Sequence, residues 1–302
     1  MHFRCNLKCL HCMIEGTMDR LTPESDDRFR EVLEFNRTHR RWSGLILTGS
    51  EITLRRDLPE LAGRARANGF DHVRIQSHGM RLADIEYCRE LIEAGVDEFF
   101  ISICAADAET HDAVTKVPGS FEKTLRGLIN LDAFPHVCTL TNTVITSRSW
   151  DRLPAIVDLL ADLERLVQMD FWSYWPMAES DHKDLLVPHA VVAPRLREAI
   201  RRARRFGRTV EVKNFPHCLL GTEADALRND QPRLIVDPRF WDEFARNGFH
   251  ECVHRESCRS TQCLGLNAGY VAKYGWDADL LQPLGEVDPV TNELVVLGEV
   301  GR

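Results

Sequence analysis

The chain has 302 residues, with 38 Lys and Arg against 46 Asp and Glu, a formal net charge of −8, and 44% hydrophobic residues. That length and apolar content can fill the core of one large α/β domain, or of a domain with an appendage, and the acidic balance argues against a nucleic-acid footprint. No apolar run approaches the roughly 18 residues of a membrane span, and the N-terminus lacks the charged and apolar regions of a secretory signal, so a cytoplasmic protein is expected.

Only Met1 to Arg4 precede the first cysteine, where a parallel barrel normally places a full strand, so the first strand reads as clipped. From there β-rich runs alternate with helical patterns, as in a parallel sheet with crossover helices. Strands are expected at 45–48, 73–77, 98–103, 138–145 and 167–173, with helices at 28–37, 58–68, 84–94, 121–131 and 153–163. The fold class expected is α/β, a partial (β/α)6 TIM-like barrel over 1–178, with a C-terminal extension over 179–302. In that extension the basic run Arg195 to Arg208 spaces Leu, Ile and Phe like an amphipathic helix with a solvated cationic face.

Ten cysteines in a chain without a secretory signal read as metal ligands and core thiols rather than a disulfide framework. Cys5, Cys9 and Cys12 stand in a C-x3-C-x2-C run that offers three thiolates and withholds a fourth. A [4Fe–4S] cluster held by cysteine alone needs four thiolates, so this loop leaves one iron open to a small chelating molecule. Structural zinc usually pairs C-x2-4-C with a second ligand pair downstream, which fits this spacing poorly. Unrelated core cysteines are the other reading, since free Cys is often buried.

The triplet resembles the signature of the radical S-adenosylmethionine (SAM) superfamily, in which the amino and carboxylate groups of SAM complete the cluster. The resemblance covers most of residues 1–178. It implies reductive cleavage of SAM to methionine and a 5′-deoxyadenosyl radical, which abstracts hydrogen from a substrate. By the same resemblance Gly49, Ser50 and Glu51 correspond to the family's Gly-Gly-Glu-Pro turn near the SAM amino group, with Ser50 and Ile52 departing from it. Ser102 on the fourth strand corresponds to a position facing SAM, and Ser77 and Asn142 to positions approaching the cofactor; Arg126 is a candidate bidentate partner of its carboxylate, with an exposed helix Arg as the commoner alternative. Side chains alternate along a strand, so Phe100, Ser102 and Cys104 share a face. Cys104 is a candidate hydrogen-atom donor, with packing as the bland alternative.

Cys218, Cys252, Cys258 and Cys263 can close a second cluster and resemble the SPASM/twitch-like auxiliary domain of some radical SAM enzymes, with a four-cysteine zinc site or a chance cysteine set as the alternatives. Cys88 and Cys138 are left over and read as core. His250-Glu251-Cys252-Val253-His254 matches the H-E-x-x-H pattern of zinc proteases, but it follows Asn247-Gly248 and overlaps Cys252. His217, beside Cys218, reads as a ligand-supporting or a solvated His. The stretch Phe171 to Trp175 can line a pocket or pack in the core. The resemblance implies a small-molecule or peptide substrate, with no appended peptide-recognition domain evident, and a reductant such as flavodoxin or ferredoxin. A non-catalytic iron–sulfur or zinc protein and a zinc hydrolase are the competing classes; metal content and SAM dependence separate the three.

Overall fold

The computed structural model describes residues 4–16, 20–178, 180–230, 235, 237–245, 248, 252–287 and 294–295. Helix α1 (Asp26–His39) leads into β1 (Gly44–Leu47), α2 (Leu58–Ala67), β2 (His72–Ser77), α3 (Ile85–Glu93) and β3 (Glu98–Ser102). Then follow α4 (Ala108–Thr115), α5 (Ser120–Asp132), β4 (Cys138–Ile145), α6 (Leu153–Leu159), β5 (Leu166–Ser173), α7 (His189–Arg205) and β6 (Thr209–Lys213). The six strands form one sheet in the order β1-β2-β3-β4-β5-β6, every neighbouring pair parallel, which makes an open, partial barrel.

Each expected strand falls within a residue or two of its place, because the apolar runs are bounded by polar turns that end them. The expected clipped first strand falls on residues that include 1–3, which lie outside the described residues. The sheet does not stop at residue 178: α7 and β6 add a sixth strand beside β5. Strand β6, Thr-Val-Glu-Val-Lys, is short and directly follows the arginine-rich run, so its alternation does not stand out. Helix α7 buries Val192, Ala193, Leu196, Ala199, Ile200 and Ala203, while Phe206, expected on its apolar side, is 43% exposed just past its end. Cys138, expected in the core, is exposed at the start of β4, whereas Cys88 is fully buried and donates to the Leu82 carbonyl.

The two faces of the sheet differ in chemistry. Leu47, Ile75, Phe99, Ile101, Met169, Phe171 and Val212 point to one face, are at most 1% exposed, and belong with Leu61, Leu91, Leu128, Ile156 and Leu196 to one apolar core. Burying each such side chain is worth about 1.5–3 kcal/mol, so this face carries the fold. On the other, concave face the strand registers place Gln76, Phe100, Leu140 and Gln168 in one row. Ser102, Asn142, Asp170 and Glu211 make the next row.

Beyond β6 come a kinked 3-10 stretch (His217–Ala226), α8 (Arg239–Ala245), α9 (Ala268–Tyr274) and a two-residue antiparallel pair, β7 (Glu286–Val287) with β8 (Leu294–Val295). No helix among the described residues is long and apolar enough to cross a membrane.

Candidate functional site

The loop bearing Cys5, Cys9 and Cys12 is fixed by its backbone. A helix ends with carbonyls that lack intrahelical partners, and α4 satisfies two of its last ones with this loop. Lys8 N–H donates to Thr115 O at 3.0 Å and Leu10 N–H to Val114 O at 2.9 Å. Within the loop, Cys12 N–H closes a turn on Cys9 O at 3.1 Å, and Leu7 N–H donates to Cys5 Sγ at 3.4 Å. Burial raises the pKa of all three thiols, and for Cys9 the neighbouring charges of Cys104, Cys12 and Cys5 add to it. Three mutually close thiols with N–H groups aimed at two of them are the donor set a cluster short of one ligand requires, and binding a metal there would expel their protons.

Glu51 organises the floor beneath that loop. Its side chain is fully buried, with Oε1 accepting from Thr53 N–H at 3.0 Å, Thr53 Oγ1 at 2.6 Å and Ser77 Oγ at 2.8 Å. Its Oε2 accepts from His78 N–H at 2.9 Å, and Glu51 N–H reaches back to Arg4 O at 3.0 Å. His78 Nδ1 accepts from Met80 N–H at 3.2 Å, which makes Nε2 the protonated nitrogen, shared between Asn6 Oδ1 at 2.7 Å and Glu51 Oε2 at 3.1 Å. Burial lowers the His78 pKa against the pull of Glu51, so the ring sits as a neutral donor. Helix α5 supports this turn from outside: Thr124 Oγ1 donates to His78 O at 2.7 Å, and a Cβ at Gly127 would lie 2.6 Å from Gly79 O.

The expected site residues separate into two groups. Gly49 and Ser50, both half-buried, form the turn between β1 and Glu51, although Gly49 is not among the described glycines with positive φ. Ser77, like Glu51, has its polar group committed within the floor, where its Oγ also accepts from Gly79 N–H at 2.9 Å. Ser102 and Asn142 face the concave side in register, and Asn142 Oδ1 is buried without a hydrogen-bond partner. Cys104 is 5% exposed, close enough to Cys9 for their charges to interact, and burial pushes its thiol pKa up to about 12. Arg126 does not join them: its side chain is exposed, off the α5 face that buries Thr124, Gly127, Leu128 and Leu131.

From the sequence, no role is assigned to His78, Asn6 or Asp112. Asp112 ties α4 to the start of α5 by accepting from Gly119 N–H at 2.6 Å, Ser120 Oγ at 2.8 Å and Phe121 N–H at 2.8 Å. An acid with Gly-Ser-Phe seven to nine residues later, before a helical run, was the available signal. On the concave face Asp170 is 2% exposed, and burial raises its pKa to about 6 although Gln168 Nε2 and Trp172 Nε1 donate to it.

The four C-terminal cysteines also converge. The pKa of the Cys218 thiol is raised by burial and then by the charges of Cys263, Cys252 and Cys258. Cys263 Sγ accepts from His217 N–H at 3.5 Å and Gly265 N–H at 3.4 Å, and Cys258 Sγ from Leu284 N–H at 3.4 Å. Among the described residues no group of three His, Cys, Asp or Glu is placed to hold a single metal ion. His217 is half-buried, with Nδ1 2.6 Å from Ser260 Oγ. For the protease pattern, His250 and Glu251 lie outside the described residues, Cys252 to His254 are not helical, and His254 Nε2 bonds Leu281 O at 3.0 Å.

A family model described as the Radical SAM superfamily matches residues 1–160. The chain is 32% identical over 168 residues to a probable GTP 3′,8-cyclase of Methanopyrus kandleri, covering 54% of this chain and 52% of that protein. It is 34% identical over 175 residues to the Fe-coproporphyrin III synthase of Methanosarcina barkeri, covering 56% and 41%. The matched stretch thus spans about half the length of these curated relatives. Native anSMEcpe with bound AdoMet superimposes with a TM-score of 0.56 at 14% identity, over 70% of this chain and 62% of that one. Streptococcus suis SuiB bound to precursor peptide SuiA gives 0.55 at 13%, over 81% and 53%, so these two likenesses speak for the fold alone. With its family match over more than half its length and a three-cysteine loop set at one end of a partial parallel barrel, the chain belongs to the radical SAM superfamily.

Proposed function

We propose that this protein is a radical SAM enzyme that takes a hydrogen atom from a small, sugar- or amino-acid-like molecule in a natural-product or cofactor pathway. The observation that carries the reading is the Cys5–Cys9–Cys12 loop, three thiols pinned onto α4 and floored by Glu51, with no fourth cysteine in the loop. A [4Fe–4S] cluster held there, with SAM on its open iron, would supply one-electron cleavage of the sulfonium to a carbon radical. The chain's own part is to hold and orient. Gly49 and Ser50 supply backbone to the cofactor, Ser102 and Asn142 offer polar groups from the concave face, and Glu51 and Ser77 keep the floor rigid. Cys104 is proposed as a hydrogen-atom donor, which needs the neutral thiol that its burial favours.

Cys218, Cys252, Cys258 and Cys263 are assigned to an auxiliary [4Fe–4S] cluster, and a flavodoxin- or ferredoxin-type protein to the role of reductant. The division into a barrel unit and a cysteine-bearing extension is kept, with β6 of the sheet drawn from beyond residue 178. A small-molecule substrate is favoured because the curated relatives are named for GTP and coproporphyrin. Maturation of a ribosomal peptide is the alternative outcome.

The test is anaerobic reconstitution with iron and sulfide, then dithionite and SAM, comparing the intact chain with Cys9→Ala. Deoxyadenosine from the intact chain, with at least a hundredfold loss in the variant, is expected. Equal deoxyadenosine in both would overturn the assignment, and iron uptake without SAM cleavage would make the chain an electron carrier.

A further inference from the structure

The segment between β5 and α7 touches the N-terminal cysteine loop on one side and helix α9 on the other. Its Lys183 Nζ donates to Leu10 O at 2.9 Å, inside the N-terminal cysteine loop, and pairs with Glu15, three residues beyond Cys12. Cys12, Glu15, Tyr174, His182 and Lys183 border one cavity, so this pair stands beside open space at the loop.

The segment is built to hold that position. Asp181, whose side chain is 1% exposed, accepts from Leu185 N–H at 3.1 Å and Leu186 N–H at 2.7 Å. Asp184 adopts φ +54°, a left-handed conformation that Asp tolerates better than most residues, and its carbonyl accepts from Ser147 Oγ at 2.7 Å. Helix α9, which begins five residues after Cys263, grips the other side. Lys273 Nζ donates to Asp181 at 2.8 Å and Asp184 at 2.6 Å, and Tyr274 Oη to Leu186 O at 2.8 Å.

We propose that residues 181–186 form a strap from α9 to the N-terminal loop, and that Lys183 with Glu15 is a positioning pair that sets the charge around the cluster at Cys12. The inference rests on the cluster reading above. Adding an electron to a cluster adds negative charge, which the Lys183 ammonium favours and the Glu15 carboxylate opposes.

The test is a potentiometric titration of the reconstituted full chain followed by EPR, taking the signal that changes on adding SAM as the N-terminal cluster. Lys183→Met is expected to disfavour reduction by about tenfold, which is 59 mV for one electron, and Glu15→Gln to favour it. Lys183→Arg should keep the wild-type potential, and the double variant should return toward it. If both single variants keep the wild-type potential, the pair is only a surface ion pair of the kind that contributes little, and the proposal fails. Should Lys183→Met lose its iron, Glu15→Gln alone decides, since it keeps the bond to Leu10. No SAM-sensitive signal in the wild type would instead remove the cluster reading, and this inference with it.

Discussion

Cys5, Cys9 and Cys12 come from one short loop whose backbone is hydrogen-bonded to α4, whereas Cys218 and the trio Cys252, Cys258 and Cys263 are brought together from separate stretches of the chain. The first group is local: its geometry is set by a turn and by the unsatisfied carbonyls of one helix end. The second is assembled, and depends on the packing of the 3-10 stretch against the 252–263 turns. A local site tolerates damage elsewhere, while an assembled one reports on the whole C-terminal part.

The largest effect that sharpens this contrast comes from Cys263→Ser. Reconstituted iron should fall from about eight to about four per chain, as two [4Fe–4S] clusters reduce to one, while SAM cleavage without substrate persists. Iron falling to zero in that variant would mean that the two groups are not separable. Next is Lys273→Met, which leaves buried Asp181, among the described residues, with its two backbone donors. Breaking a buried pair costs 3–5 kcal/mol, and the quarter exposure of Lys273 reduces this to about 2 kcal/mol. A urea-unfolding midpoint unchanged by the substitution would break the idea that the strap is held from α9.

A pH dependence is also expected in both regions. His111, under the N-terminal loop, and His189, stacked on Tyr270 of α9, are buried, and burial lowers their pKa from 6.5 to about 4 and about 3. The unfolded chain therefore takes up protons that the folded chain does not. This contribution to stability is full above pH 6.5 and is lost as the pH falls from there toward pH 4 and then 3. Urea unfolding measured from pH 7.5 to 4.5 should show that decline, and His189→Phe should flatten part of it. An unaltered slope would assign the decline to other groups.

Much of the fold was legible because the strands are bounded apolar runs, and the N-terminal cysteines because their spacing lies within one loop. What lay hidden is tertiary. For Arg126 the sequence leaves both an anion partner and an exposed helix Arg open, and the packing of α5 turns its side chain to solvent. Ser77 reads as a cofactor contact from the sequence, which does not show that its hydroxyl donates to Glu51. His78 gives no local signal at all, since its partner Asn6 lies 72 residues away. Strand β6 was obscured by the basic helix before it, and Cys138 was assigned to the core because its exposure at a strand start depends on what covers that end.

The sheet's division into an apolar and a polar face has a consequence for how such a protein changes over generations. Because alternate residues of one strand answer to different demands, replacing Gln76, Asn142 or Gln168 alters what the concave side presents while leaving Ile75, Thr141 and Met169 in their core contacts. Substitutions on the two sides should then combine almost additively where they share no partner, so that what the concave side presents can be changed one inward residue at a time without first rebuilding the scaffold.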